Sequence, residues 1–510
     1  MSSRSDTDNV GTETITALWE CNTLEKAQSL CSSLGNAAFP LQNFISNTYN
    51  TSTSTEYLDS HNPKTGKVFS RVPISSAEEV DRAVQNATEA FAGWSKTTRA
   101  VRSAYLGKIT RLIEENRELF AVWESIDQGK TLERARIEVD RAISNFSYFS
   151  TYILHEANTV RMIDNVALTY EHRSPAGVFA LISPWNMPLY LLTWKIAPCI
   201  AFGCTAVAKP SEVTSISAFL LTEVFRRASL PAGVVNMVFG NGATTGSALV
   251  KHDKIKGISF TGGTATGIQI RKDTAHQIYK HLSLELGGKN PTLIFEDVDM
   301  EKAIATAAMA AFENQGEICL CGSRIYVQKS IYATFVTQFT AHVAEKYQVG
   351  QRIGAVVSLP HYQKIRSYLS LAEEEKAVFE LGSLPPSTPE SGYWIAPTIL
   401  TSVSPTSRIM TEEIFGPVVT IHPFEDEAEA ISLANGNPNG LAAVLLTKDG
   451  SRIRRVGEKI EAGLVWVNCW LVRELGTGFG GMKNSGTGRE GGAFSREVFT
   501  NLRTLHVPDF

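Results

Sequence analysis

Four short runs decide the fold: GVFALISPWN (177–186), TAVAKPSE (205–212), VVNMVFGNG (234–242) and IKGISFTGG (255–263). Each is an apolar stretch, rich in Val, Ile and Ala, that stops at glycine, proline or a polar turn. Helical patterns separate them, over 211–228, 244–251 and 264–275. Strand–helix–strand alternation predicts a parallel, doubly wound α/β sheet. Ligands of such sheets sit at the carboxyl ends of the strands. Here those ends are Trp185–Asn186, Lys209–Glu212, Gly240–Gly242 and Thr261–Gly263.

On the N-terminal side, Ser76 and Glu79 form a capping-box pattern ahead of Val80, Val84, Ala87 and Phe91 at helical spacing. Two further amphipathic stretches predict helices over about 99–127 and 133–152. Residues 160–170 alternate loosely and predict an extended hairpin. Residues 1–40 are polar and expected to be poorly ordered, with one short helix over 24–34. On the C-terminal side a second α/β block runs from 284 to about 478. It has a helix over 300–312 and strands over 324–328, 418–422 and 463–468. Residues 479–492 are glycine-rich and predict a loop, followed by a β-rich tail over 498–507.

The chain has 510 residues, of which 43% are hydrophobic, and a formal net charge of −4. That excludes a disordered protein, and the near-neutral charge argues against a nucleic-acid binder. The seven cysteines are odd in number and form no CxxC pair, which speaks against a disulfide framework or a zinc site. No stretch has ~18 uninterrupted apolar residues, so no membrane span is expected. The start has no apolar core of a signal peptide, and the expected compartment is the cytosol.

Several residues could carry chemistry. Cys319, in NQGEIC (314–319), follows a glycine that permits a tight turn after a helix. Nearby backbone amides would favour its thiolate. A lone cysteine is more often a small buried residue, but the polar, glycine-flanked setting favours a nucleophile. Glu285 ends an apolar run before Gly287-Gly288, a setting that raises a carboxyl pKa and suits a general base. An exposed strand-end glutamate is an equal reading of that fragment alone. Asn186 could donate to a developing oxyanion, or simply form an Asx turn. Lys209 and Glu212 could hold sugar hydroxyls beside a helix start that faces phosphates, or be an ordinary helix-start pair. Gly240, Gly242 and Gly246, with Gly262, Gly263 and Gly267, are placed as a backbone nest for a pyrophosphate.

Taken in order, SPWN (183–186), KPSE (209–212), FTGG (260–263), LELGGKN (284–290), NQGEIC (314–319), EEIFGPV (412–418) and FGGMKNSGTGREG (479–491) resemble the aldehyde dehydrogenase superfamily. The resemblance runs from about Leu41 to the C-terminus. It implies a Rossmann-type NAD-binding domain (41–157 and 173–285) and an α/β catalytic domain (286–478). A β-hairpin oligomerisation arm (158–172 and 493–510) and a glycine-rich linker loop (479–492) complete the expected layout. It also implies a homodimer or homotetramer with a small-molecule aldehyde as substrate, and no nucleic-acid, membrane or metal partner.

By the same resemblance Cys319 is the nucleophile, Glu285 the base that activates water, and Asn186 the oxyanion donor beside the Cys319 N–H. Ser183, Trp185, Lys209, Glu212, Gly242, Gly263, Glu413 and Phe415 are the implied NAD contacts. Glu212 would repel a 2′-phosphate, which favours NAD over NADP. Within the superfamily, residues 185–198, 314–332 and 463–475 resemble the muconic semialdehyde dehydrogenases. These oxidise 2-aminomuconic or 2-hydroxymuconic semialdehyde in tryptophan (kynurenine) or aromatic-ring degradation. Such substrates carry a distal carboxylate, so a cationic anchor is expected. Arg473 and Arg141 are the candidates, against the alternative of surface or intersubunit ion pairs.

The sequence departs from the family pattern at Gly263, where serine is usual, and at Gly478, where proline is usual. The loop 349–354 is several residues short. Two other functions remain open at this point: a dehydrogenase of broader range, for example for retinal, and a non-catalytic paralogue.

Overall fold

The computed structural model describes residues 7–33 and 38–508. Its first sheet has eight strands, ordered Gly486–Thr487, His281–Glu285, Ile255–Thr261, Val178–Ile182, Thr205–Lys209, Val235–Met237, Asn43–Ile45 and Thr48–Asn50. The middle five are parallel, with registers such as Ile182↔Lys209 and Thr261↔Glu285. The first of these strands in the chain, Val178–Ile182, has Thr205–Lys209 on one side and Ile255–Thr261 on the other. Strand order therefore reverses beside Val178–Ile182, and a crevice opens at its carboxyl end. The strand is buried at every position, as a sheet covered on both faces requires.

The second sheet has seven strands, ordered Val378–Leu381, Thr398–Thr401, Val418–Phe424, Arg324–Gln328, Pro291–Ile294, Ala442–Leu446 and Leu464–Val467. All its pairings are parallel except the first. A third, antiparallel sheet joins Val160–Ile163, Ala167–Pro175 and Thr500–Pro508. The glycine-rich segment stitches the two large sheets together. Gly486–Thr487 pairs with His281–Glu285, while Met482–Lys483 pairs with Asn439–Gly440. Between them Ser485 Oγ donates to Gly287 O at 2.7 Å and accepts from Gly440 N–H at 2.9 Å.

The N-terminal segment differs from the sequence expectation. Two helices, Thr7–Glu20 and Leu24–Ser33, are formed, and only the second was anticipated. Ile15 and Leu18 are buried in the largest core, and Trp123 Nε1–H donates to Leu18 O at 3.1 Å. Trp19 lies under the Arg227 guanidinium at 4.0 Å. A few apolar side chains are enough to dock a helix whose remaining residues are polar, and such sparse burial leaves little periodicity to read.

The helix expected over 99–127 is two helices, Arg99–Glu115 and Arg117–Gln128. Asn116 sits between them with its side-chain amide bonded to Leu112 O at 2.8 Å, the local competition with the helix ladder that asparagine offers. The short 349–354 loop closes as a tight turn. Gly350, at φ 81°, donates to Ile353 O at 2.8 Å, and Arg352 and Ile353 both donate to Gln348 O at 3.1 Å. No helix among the described residues is long and apolar enough to cross a membrane.

Candidate active site

The Cys319 loop begins where helix Met300–Phe312 stops. Asn314, Gln315 and Gly316 are all left-handed, at φ 53°, 46° and 73°. Each non-glycine residue there costs about 1–2 kcal/mol, so the turn must be held by its side chains. Asn314 Nδ2–H donates to Asn186 O at 3.2 Å, and Gln315 Nε2–H to the Glu317 carboxylate at 3.0 Å. Gly316 is obligatory, because a Cβ there would lie 2.1 Å from Gly416 O. The reversal sets Cys319 partly exposed at a point where two cavities meet.

One cavity, of about 260 Å³, is lined by Trp185, Asn186, Gly263, His361, Glu413 and Phe415 and ends at Cys319. It shares Trp185 and Gly263 with a larger one of about 440 Å³ in the crevice of the first sheet, where Ser183, Lys209, Glu212 and Gly242 also line the wall. On the other side of Cys319 a narrow cavity of about 60 Å³ is lined by Arg141, Tyr190, Trp194, Glu285, Arg473 and Phe479, among others.

The NAD contacts expected from the sequence all border the first two cavities. The walls suit a dinucleotide. Ser183 Oγ is buried without a partner, and nothing lies within 4 Å of a Cβ placed on Gly242 or Gly263. Lys209 is buried and pairs with the partly exposed Glu212 at 3.5 Å. The start of helix Thr264–Thr274 faces the same space through Gly263, favourable for phosphate. Further in, a Glu413 carboxylate oxygen accepts from Gly288 N–H at 2.9 Å. Phe415, at φ 64°, meets the Trp185 ring edge-on at 5.2 Å.

Asn186 is 3% exposed, and its Nδ2 donates to Glu317 O at 2.9 Å. That leaves its second amide hydrogen for the cavity. Glu285 is also 3% exposed, and neither carboxyl oxygen has a partner. Burial, then the charge of Glu490, pushes its pKa well above the usual carboxyl range, with Lys195 opposing. Beside it, Lys195 Nζ bonds Glu490 at 3.1 Å and Ser259 at 2.9 Å. A Cβ on Gly480 would come within 2.8 Å of Glu285 Oε1, so glycine keeps this carboxyl clear.

One expectation is reversed. Burial pushes the Cys319 thiol pKa up, the nearby Glu413 and Glu285 carboxyl groups add to it, and its own backbone N–H only partly offsets them. A backbone amide is a weaker influence here than two acidic neighbours in a poorly solvated pocket.

Both candidate arginines border the narrow cavity. The Arg473 guanidinium lies 4.1 Å from the Trp194 ring centre and 4.4 Å from that of Phe479. Its Nη1 donates to the Tyr190 hydroxyl, while Nη2 is buried without a partner. Arg141 faces the same Tyr190 ring at 5.6 Å. Neither arginine forms an ion pair with a described residue, unlike the surface-pair alternative.

Three residues of the site escaped sequence reading. His361 packs against Trp185 at 4.9 Å and bonds Phe415 O at 2.7 Å through Nε2. Burial lowers its pKa to about 3, so it is neutral and its Nε2–H is the donor. Lys364 borders the same cavity, and Tyr190 bridges the two arginines. Tyr190 lies within the stretch 185–198, whose resemblance is a sequence signal for it. Nothing local marks His361 or Lys364.

The aldehyde dehydrogenase family model matches residues 49–505. The chain belongs to the aldehyde dehydrogenase family. It is similar to the 2-aminomuconic semialdehyde dehydrogenase of Danio rerio, 47% identical over 463 residues, covering 88% of this chain and 95% of that protein. The Homo sapiens protein of the same description is 46% identical over 486 residues, covering 92% and 99%. Among solved structures, the NAD+ complex of an aldehyde dehydrogenase from Bacillus cereus superposes with a TM-score of 0.90 at 33% identity, covering 95% and 99%. This family member is therefore an NAD-dependent aldehyde dehydrogenase.

Proposed function

We propose that this dehydrogenase oxidises a semialdehyde bearing a distal carboxylate, 2-aminomuconic or 2-hydroxymuconic semialdehyde, in tryptophan-kynurenine or aromatic catabolism. The observation that carries the reading is Arg473 Nη2, a buried guanidinium nitrogen without a partner beside the cavity that reaches Cys319. Arg141 adds a second positive charge there. The relatives named 2-aminomuconic semialdehyde dehydrogenase support the same substrate class.

The reaction can be followed on the residues. The partly exposed Cys319 thiol gives its proton to solvent water, and the thiolate attacks the aldehyde carbon while the carbonyl electron pair moves to oxygen. Asn186 Nδ2–H and the Cys319 N–H stabilise that oxyanion, each donor worth about 3–4 kcal/mol. When bound, NAD would supply the hydride acceptor. Ser183, Trp185, Lys209, Glu212, Gly242, Gly263, Glu413 and Phe415 would hold it. Loss of hydride from the substrate carbon leaves a thioester on Cys319. Glu285 then takes a proton from water, the hydroxide adds to the thioester, and the thiolate leaves with release of the acid.

The protein acts as a homodimer or homotetramer in this reading. Val160, Met162, Ile163 and Leu502 on the third sheet are exposed apolar side chains that a second copy would cover. A cytosolic location agrees with seven free cysteines.

The test is NADH formation across semialdehydes with and without a distal carboxylate. The expected result is a clear preference for the carboxylate-bearing substrates, abolished in Cys319→Ala. Equal kcat/KM for both groups would favour a dehydrogenase of broader range.

A further inference from the structure

Behind the catalytic loop lies a buried cluster of charge that the reaction does not consume. Helix Arg117–Gln128 ends at Gly129, which is left-handed at φ 94° and packed so closely that a Cβ would lie 2.5 Å from Ala355 O. The reversal turns Lys130 inward, where it is 0% exposed. Its ammonium group has three hydrogens and three neighbours. It bonds the Glu138 carboxylate, lies 3.5 Å from Glu124 Oε2, and donates to the main-chain oxygen of Asn186 at 3.0 Å.

The other partners point to the same short segment. Glu124 Oε1 accepts from Leu189 N–H at 3.0 Å, in the first turn of helix Pro188–Ala201. Asn314 Nδ2 shares the Asn186 carbonyl, at 3.2 Å. The Asn186 side chain is fixed by Glu317 O at 2.9 Å. The Glu317 carboxylate is in turn held by Gln128 Nε2 at 2.6 Å, two residues before Lys130. Residue 186 is thus gripped at its carbonyl by Lys130 and by Asn314 of the Cys319 loop, and at its side-chain amide by Glu317 of that loop, whose carboxylate Gln128 holds.

We propose that Lys130 is a positioning residue for oxyanion stabilisation. It holds the Asn186 backbone so that the remaining amide hydrogen faces the carbonyl oxygen bound at Cys319. The proposal rests on Asn186 being the oxyanion donor. Removing one member of a buried ion cluster leaves its partners uncompensated and destabilises the fold whether or not that member positions Asn186, so thermal stability does not decide the matter. Geometry does, because a displacement of about 1 Å at a reacting centre can cost about 100-fold in rate.

The test is a double-mutant cycle on the holoenzyme. Lys130→Met, Asn186→Ala and the double variant are compared by the single-turnover burst of NADH, with NAD affinity measured in parallel. Lys130→Met is expected to slow the burst about 10- to 100-fold with little change in NAD affinity. In the Asn186→Ala background the same substitution is expected to cost less than twofold. An equal loss in both backgrounds, or a wild-type burst in folded Lys130→Met, overturns the proposal. A wild-type burst in Asn186→Ala overturns the oxyanion assignment itself. If Lys130→Met does not fold, the near-isosteric Glu138→Gln takes its place in the cycle. It loosens the ammonium without removing it, and the same non-additivity is expected.

Discussion

Replacing Arg473 by alanine separates substrate anchoring from chemistry. The guanidinium is already fixed by the Trp194 and Phe479 rings, at 4.1 and 4.4 Å, and by Tyr190 on Nη1. What it offers a ligand is the buried, unpartnered Nη2. A charge-assisted hydrogen bond at such a site contributes about 1.5–3 kcal/mol. Coulomb attraction at an effective dielectric of about 20 sets an upper bound near 4 kcal/mol for charges about 4 Å apart. Taking about 2–3 kcal/mol, the variant is expected to lose about 30- to 150-fold in kcat/KM for a carboxylate-bearing semialdehyde, mostly through KM. Loss of the aromatic stack also disturbs the cavity, but for any aldehyde. The informative quantity is therefore the ratio of kcat/KM for that semialdehyde to kcat/KM for an uncharged aldehyde of similar length, measured by NADH absorbance. A fall of about 30-fold or more in that ratio is the expected result. A ratio within about threefold of wild type would refute the anchor, since the perturbation would then be blind to substrate charge.

Glu285→Gln is expected to form NADH in one burst and then stall, because the thioester lacks its base; continued turnover at the wild-type rate would remove that role. Since burial raises the Glu285 pKa, the wild-type deacylation rate should climb with pH above the ordinary carboxyl range, and the variant should lose that limb. The folded pKa exceeds the unfolded one, so this group's contribution to stability falls as pH rises above the unfolded value of about 4.3, and Glu285→Gln should raise Tm more at pH 9 than at pH 5. Glu212→Gln should lower the preference for NAD over NADP about fivefold, from about 1 kcal/mol of like-charge repulsion in water-like surroundings, read as a ratio of cofactor kcat/KM values. Leu18→Ala, at a site with 0% exposure, should cost about 2–5 kcal/mol and lower Tm while kcat stays at the wild-type value; an unchanged Tm would mean the N-terminal helix is not docked in solution.

The parallel strands and the seven motifs were legible because each motif carries its own geometry. An apolar run stops at a glycine or proline, and the stop marks a strand end where ligands gather. Glu285 and Asn186 could be named for that reason, and Cys319 from the glycine turn that follows a helix. The N-terminal helix Thr7–Glu20 was not legible, since its docking rests on Ile15 and Leu18 and on a bond from Trp123. The break at Asn116 depends on a side chain competing for a single carbonyl, a balance that a hydrophobic pattern does not record.

Sequence by itself determined the α/β architecture, the order of the motifs and the family, because these depend on residues within a few places of one another. Only the tertiary structure decided how those residues behave. It placed Tyr190 between two arginines from distant segments, packed His361 against Trp185, and set Lys130 behind Asn186. It also reversed the expectation for Cys319, whose thiol is pushed up by burial and by Glu413 and Glu285. The physical reason is that desolvation and charge act through space, and the neighbours that matter are brought close only when the chain has folded.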